Sequence, residues 1–143
     1  MLNNRKSYIN RKINKLECNS NTGFLDVRVF SEEGNPIEDA RVSISFYEVR
    51  GIYRESAIQN EIVSHYTDEN GNIPIVELPV IHELGEANTD EYHMRVDAPG
   101  YYSVIVMNME IFPDTTTSFN VVLTPVTESD SYVRFIIIPE KHW

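Results

Sequence analysis

Cysteine is almost absent: Cys18 is the single one in 143 residues, so no internal disulfide and no multi-cysteine metal site can form. It lies in a polar N-terminal segment with no evident base beside it, and is expected to be an inert, exposed thiol. Long apolar runs are missing as well. None approaches the ~20 residues that a membrane-spanning helix needs. The polar, basic N-terminus has no apolar stretch of the kind a secretory signal carries, which leads to the expectation of an intracellular chain. Lysine is missing between residues 16 and 140, and glycine is sparse at six.

What is present reads as one domain. A hydrophobic content of 41% with 24% charged residues suits a globular core, and 143 residues suffice for one such core and not for two. The charge is divided. Residues 1–18 hold Arg5, Lys6, Arg11, Lys12 and Lys15 against Glu17, a net +4, so the remaining 125 residues carry −14 within a chain total of −10. A body this acidic repels phosphate backbones and anionic lipid, so neither nucleic acid nor a membrane surface is expected as a partner.

The N-terminal segment, residues 1–22, separates from the rest by composition. Ile9, Ile13 and Leu16 fall at i, i+4 and i+7, the spacing of a short amphipathic helix, and Cys18 to Gly23 reads as linker. From Phe24 the period becomes two. Leu25, Val27 and Val29 form a first strand and Val42, Ile44 and Phe46 a second. The polar stretch from Glu48 to Asn60 has no period and is expected to be a loop. Ile62 to Thr67 and Ile73 to Leu78 flank a turn, Asp68-Glu69-Asn70-Gly71-Asn72, and together predict a β-hairpin in which Gly71 supplies positive φ. Pro79 to Asp90 is a long loop. Tyr92, Met94 and Val96 make a fifth strand, Ser103 to Met107 a sixth with apolar residues on both faces, and Phe119, Val121 and Leu123 a seventh. The pattern predicts an all-β fold, a seven-stranded antiparallel Greek-key sandwich over residues 23–126. The segment 127–143 adds an extra C-terminal strand, Tyr132 to Ile138.

Three stretches resemble a known family. Gly34-x-Pro36-Ile37-x-x-Ala40-x-Val42, Thr67-Asp68-x-x-Gly71 and Tyr92-x-Met94-x-Val96-x-Ala98-Pro99-Gly100-Tyr101 together resemble the carboxypeptidase regulatory-like domain, whose fold is a transthyretin-like (prealbumin-like) sandwich. Leu78-Pro79, Ala98 to Tyr101 and Ile111-Phe112 are similar to features of the non-catalytic module of bacterial spore-cortex-lytic enzymes. That resemblance implies an accessory domain, and the signal-free N-terminus makes the cytoplasm of the mother cell or the spore its expected place. Transthyretin-like hydroxyisourate hydrolases share the fold only, because Tyr132-Val133-Arg134-Phe135 does not reproduce their C-terminal Tyr-Arg-Gly-Ser. Self-crosslinking surface domains need a lysine within the sandwich, which this chain lacks.

No cluster of residues demands catalysis or a cofactor. Asp68-x-Asn70-x-Asn72 opens like a calcium loop, yet its glycine comes fourth and no glutamate follows at the twelfth position, so it is a turn. His82-Glu83 lacks the second histidine of a zinc-protease motif, Glu86 standing there instead. His65 and His93 would make a weak metal or pH-sensing pair if they faced each other, and are otherwise two surface histidines. The expectation is a non-enzymatic module that binds a protein partner or self-associates. The strand Tyr132 to Ile138, greasy on both faces, is a hazard as an open edge and is expected to be covered. Its cover is either pairing along the edge of its own sandwich, with Ile9, Ile13 and Leu16 of the arm over its outer face, or strand addition to a second chain through Tyr132, Phe135, Ile136 and Ile138. The alternative to a protein partner is a cortex or cell-wall glycan stacked on Tyr53, Tyr101, Tyr102 and Trp143.

Overall fold

The computed structural model of the protein describes residues 21–50, 56–81, 90–127 and 133–137, so the basic arm lies outside the described residues. Eight strands follow in order: β1 (Thr22–Ser31), β2 (Arg41–Arg50), β3 (Ser56–Tyr66), β4 (Val76–Pro79), β5 (Asp90–Asp97), β6 (Ser103–Met109), β7 (Thr116–Leu123) and β8 (Val133–Ile137). They form a three-stranded sheet, β4-β1-β7, and a five-stranded sheet, β3-β2-β5-β6-β8. Alternation explains the closure. Leu25, Val27 and Val29 of β1, Val42, Ile44 and Phe46 of β2, Tyr92, Met94 and Val96 of β5, Val104 and Val106 of β6, and Val121 and Leu123 of β7 all point into one shared core. Tyr92 fits there because its hydroxyl donates to the Pro79 carbonyl at 2.7 Å, while its ring meets Phe46 edge-on at 5.8 Å.

Three expectations need correction. The sheets are not purely antiparallel, since β1 pairs with β7 in parallel over Phe24–Ser31 and β6 pairs with β8 in parallel over Ser103–Met107. The stretch around Asp68 is not a hairpin. β3 pairs with β2 and β4 pairs with β1, so this turn carries the chain from one sheet to the other. Its chemistry is nevertheless that of a tight turn: Gly71 N–H donates to the Asp68 carbonyl at 2.9 Å, and the Asp68 carboxylate accepts from the Asn70 and Asn72 amides at 2.9 Å each. The chain does not run straight into β4, so the buried residues are Ile73, Val76 and Leu78, whereas Ile75 is 62% exposed.

The polar stretch from Glu48 to Asn60 is mostly strand and not loop. β2 runs on to Arg50 and β3 begins at Ser56, with Tyr47 opposite Gln59. The register slips between Ile44 opposite Val63 and Ser45 opposite Glu61, which makes Ile62 a bulge residue. That extra residue breaks the two-residue period, and polar side chains on the outer face conceal the rest. A second bulge in β6 places Asn108 at φ 57, a conformation that asparagine tolerates better than most residues. In β6, Val104 and Val106 are buried and Ile105 is half-buried, so only one face is fully covered.

Candidate functional site

The outer face of the five-stranded sheet is the polar side of β2, β3 and β5. Arg41, Ser43, Ser45 and Tyr47 alternate with the core residues of β2, and Glu91, His93, Arg95 and Asp97 do the same on β5. Cross-strand bonds knit them together. Arg41 pairs with Glu61 at 2.8 Å and donates to the Ser64 hydroxyl at 3.1 Å, and Gln59 donates to Ser45 at 3.1 Å. Arg95 meets both carboxylate oxygens of Asp97 at 3.0 and 2.8 Å, and the Ser103 hydroxyl donates to the same carboxylate. The His93 ring stacks on Tyr47 with centroids 3.8 Å apart and lies 3.1 Å from Glu91.

Burial alone would raise the Asp97 carboxyl, but the bonds from Arg95 and Ser103 and the charges of Arg95 and Arg41 outweigh it and hold the group below the usual aspartate value. A carboxyl lowered by folding adds stability above its unfolded pKa, and that stability is lost as pH falls through the folded value. Asp97→Asn should therefore be less stable than the parent at neutral pH, and the gap should shrink as pH falls below the ordinary aspartate value of about 3.9. Urea midpoints measured down that range check it; a gap that stays constant with pH would show that Asp97 is not held ionised by these partners.

This face is a layer cross-linked by side-chain hydrogen bonds and ion pairs. Among the described residues, no group of three or more His, Cys, Asp or Glu could hold a metal ion. His65 and His93 do not face each other, because β2 lies between their strands; His65 is opposite Val42 and His93 opposite Ser45. His93 is not a surface residue either, being 6% exposed between Tyr47 and Glu91.

The residues singled out in the sequence are not brought together. Tyr53, Tyr132, Ile138 and Trp143 lie outside the described residues. Tyr101 is half-buried against the core and forms a bridge with Pro125, and Tyr102 is half-buried with its amide donating to the Thr124 carbonyl at 2.9 Å. Phe135 is in register with Ile105 and Ile136 with Val106, Ile136 being 38% exposed.

The strand pairing exposes a feature that alternation could not show. Each sheet has two edges, and edges are where foreign strands add. β4 is four residues long and carries Glu77 and Pro79. β3 is bulged at Ile62 and carries Glu61. β8 pairs with β6 over its described residues, Val133–Ile137, and carries Arg134 among them. Shortness, charge, proline and bulging are the devices that block edge pairing. β7 has none of them. Its eight residues, Thr-Thr-Ser-Phe-Asn-Val-Val-Leu, are uncharged, run in unbroken register beside β1, and among the described residues pair with no other strand. Asn120 is exposed and Val122 is 43% exposed.

The protein is thus an all-β domain of two sheets closed over one core, a sandwich in which β7, among the described residues, has a neighbouring strand on one side only. Its backbone is similar to that of 3-chlorocatechol 1,2-dioxygenase from Rhodococcus opacus 1CP, with a TM-score of 0.50 and 15% identity over 75% of this chain and 61% of that one. It is likewise similar to hydroxyquinol 1,2-dioxygenase from Pseudomonas putida DLL-E4, with a TM-score of 0.51 and 12% identity over 75% of this chain and 57% of that one. The chain therefore spans about three fifths of the length of these two proteins, and at such identities the likeness is one of fold alone. The sequence matches no protein-family model and no curated protein.

Proposed function

We propose that the chain is a non-enzymatic interaction module that takes an extended segment of a protein partner along the edge of β7 that pairs with no strand among the described residues. The observation that carries this reading is the uncharged, unbulged ladder from Thr116 to Leu123, which among the described residues lies at a sheet edge, whereas the outer strands β3, β4 and β8 carry charge, proline or a bulge. Backbone amides and carbonyls along such an edge bond a new strand, and alternate side chains select it. The half-buried state of Tyr101 and Tyr102 supports a protein partner over a glycan, because rings packed on the domain offer little flat surface to a sugar. The resemblance to the accessory module of spore-cortex-lytic enzymes extends the proposal to a spore-associated regulatory role.

Asn120→Lys and Val122→Lys place a charge on exposed positions of the edge. Both should melt within about 0.5 kcal/mol of the parent, as surface substitutions do. Both should lose a partner that co-precipitates with the parent chain and shields the amides of Thr116–Leu123 from hydrogen exchange. A partner retained by both variants, with β7 exchange unchanged, would reject this edge as the docking site.

A further inference from the structure

The charges at the two ends of β7 describe the segment it accepts, an inference that rests on the strand-addition reading. Asp114, exposed, lies two residues before β7, and the Glu110 carbonyl accepts the Thr117 hydroxyl at 3.5 Å at the same end. At the other end the Glu32 carboxylate accepts the Thr124 hydroxyl at 2.9 Å, with Glu33 next in sequence. Between them the edge itself is neutral, and the neighbouring strand contributes Arg28 opposite Asn120 and Asp26 opposite Ser118, which offset one another. The edge is a neutral ladder with an acidic group at each end.

This arrangement disfavours pairing of β7 with the β7 of a second copy. Two β7 strands pairing antiparallel about a two-fold axis would set the Asp114 end of one against the Glu32 end of the other, acid against acid at both ends, within a protein of net charge −10. Like charges brought together at an interface suppress that pairing. The core side of the ladder adds a second requirement. Val121 and Leu123 are buried at 2% and 0%, whereas Phe119 in the same row is only partly buried, so an apolar side chain on an added strand would complete its cover.

We infer that the occupant is a heterologous extended segment, apolar at alternate central positions and basic at its ends. The probe is an alternating Thr–Val peptide flanked by lysine pairs, compared with the same peptide flanked by glutamate pairs, each titrated into the full chain. The lysine-flanked peptide should bind about tenfold tighter at low salt, the sum of several exposed pairs. The advantage should shrink once salt shortens the screening length to about 8 Å, and at low salt it should fall severalfold in the double variant Asp114→Asn with Glu32→Gln. Equal binding of the two peptides, both lost in Val122→Lys, would overturn the basic-flank inference and leave strand addition standing. Binding of neither peptide, with no protection of the Thr116–Leu123 amides, would overturn both.

Discussion

Gly71→Val is expected to cost about 3–5 kcal/mol of stability, a large part of the 5–15 kcal/mol typical of a single domain. Two independent effects add. Gly71 sits at φ +76, where a β-branched side chain is strained by about 1–3 kcal/mol. A Cβ there would also lie 2.4 Å from the Val29 carbonyl oxygen and 3.2 Å from the Pro36 Cβ, so backbone must move. The strand it would push is held on both sides. The Val29 amide donates to the Gly71 carbonyl at 2.8 Å, and the Val29 carbonyl accepts from Ile37 at 3.0 Å. Gly34→Val isolates the first effect, because Gly34 has φ +84 and a Cβ added there would meet nothing within 4 Å. Urea unfolding should rank the parent above Gly34→Val, and Gly34→Val above Gly71→Val. Equal losses for the two variants would show that the close approach to β1 costs nothing.

The same turn marks how far the sequence speaks. Asp68, Asn70 and Gly71 announce a tight reversal in any context, because their bonds are made within a few residues. Which strands the reversal joins is a different matter. Ile73 to Leu78 has the composition of a hairpin arm, yet the bonds of Val76 to Pro79 go to β1, more than fifty residues earlier, and no local signal reports that. The parallel pairing of β1 with β7 is equally silent in sequence, since hydrophobic alternation is the same for either strand direction. Core positions were legible wherever the two-residue period was unbroken, as at Leu25, Val27 and Val29. It failed at Ile62, where a bulge adds one residue.

Legibility of the candidate site follows the same division. Aromatic residues draw attention in a sequence, but Tyr101 is packed against the core and serves the fold. The β7 edge consists largely of threonine, serine, asparagine and valine, residue types without chemistry of their own. Its interest comes from the lack of a second neighbouring strand among the described residues, and only the strand order shows that. The one signal within reach of the sequence is the absence of charge from Thr115 to Val126 in a chain that is otherwise rich in acid.

Thr67→Val should cost about 2–4 kcal/mol although it removes no volume, because it would strand two buried backbone groups. The Thr67 side chain is 2% exposed. Its hydroxyl donates to the Ile37 carbonyl at 2.6 Å and accepts from the Ala40 amide at 2.9 Å. Its own backbone is tied to the same loop, with the Thr67 amide donating to the Ala40 carbonyl at 2.9 Å and the Asp39 amide donating to the Thr67 carbonyl at 3.0 Å. One residue thereby clamps the 37–40 segment, including Asp39 at φ 57, against the end of β3 just where the chain leaves for the other sheet. Valine keeps the β-branched shape and loses both hydroxyl bonds, so the Ile37 carbonyl and the Ala40 amide must stay unpaired or the loop must open to water. Thr67→Ser makes the opposite trade: it keeps the hydroxyl and removes one methyl, which costs about 1 kcal/mol. Chemical denaturation should therefore place serine between the parent and valine. Valine equal to or more stable than serine would mean that the methyl, and not the clamp, is what this position contributes.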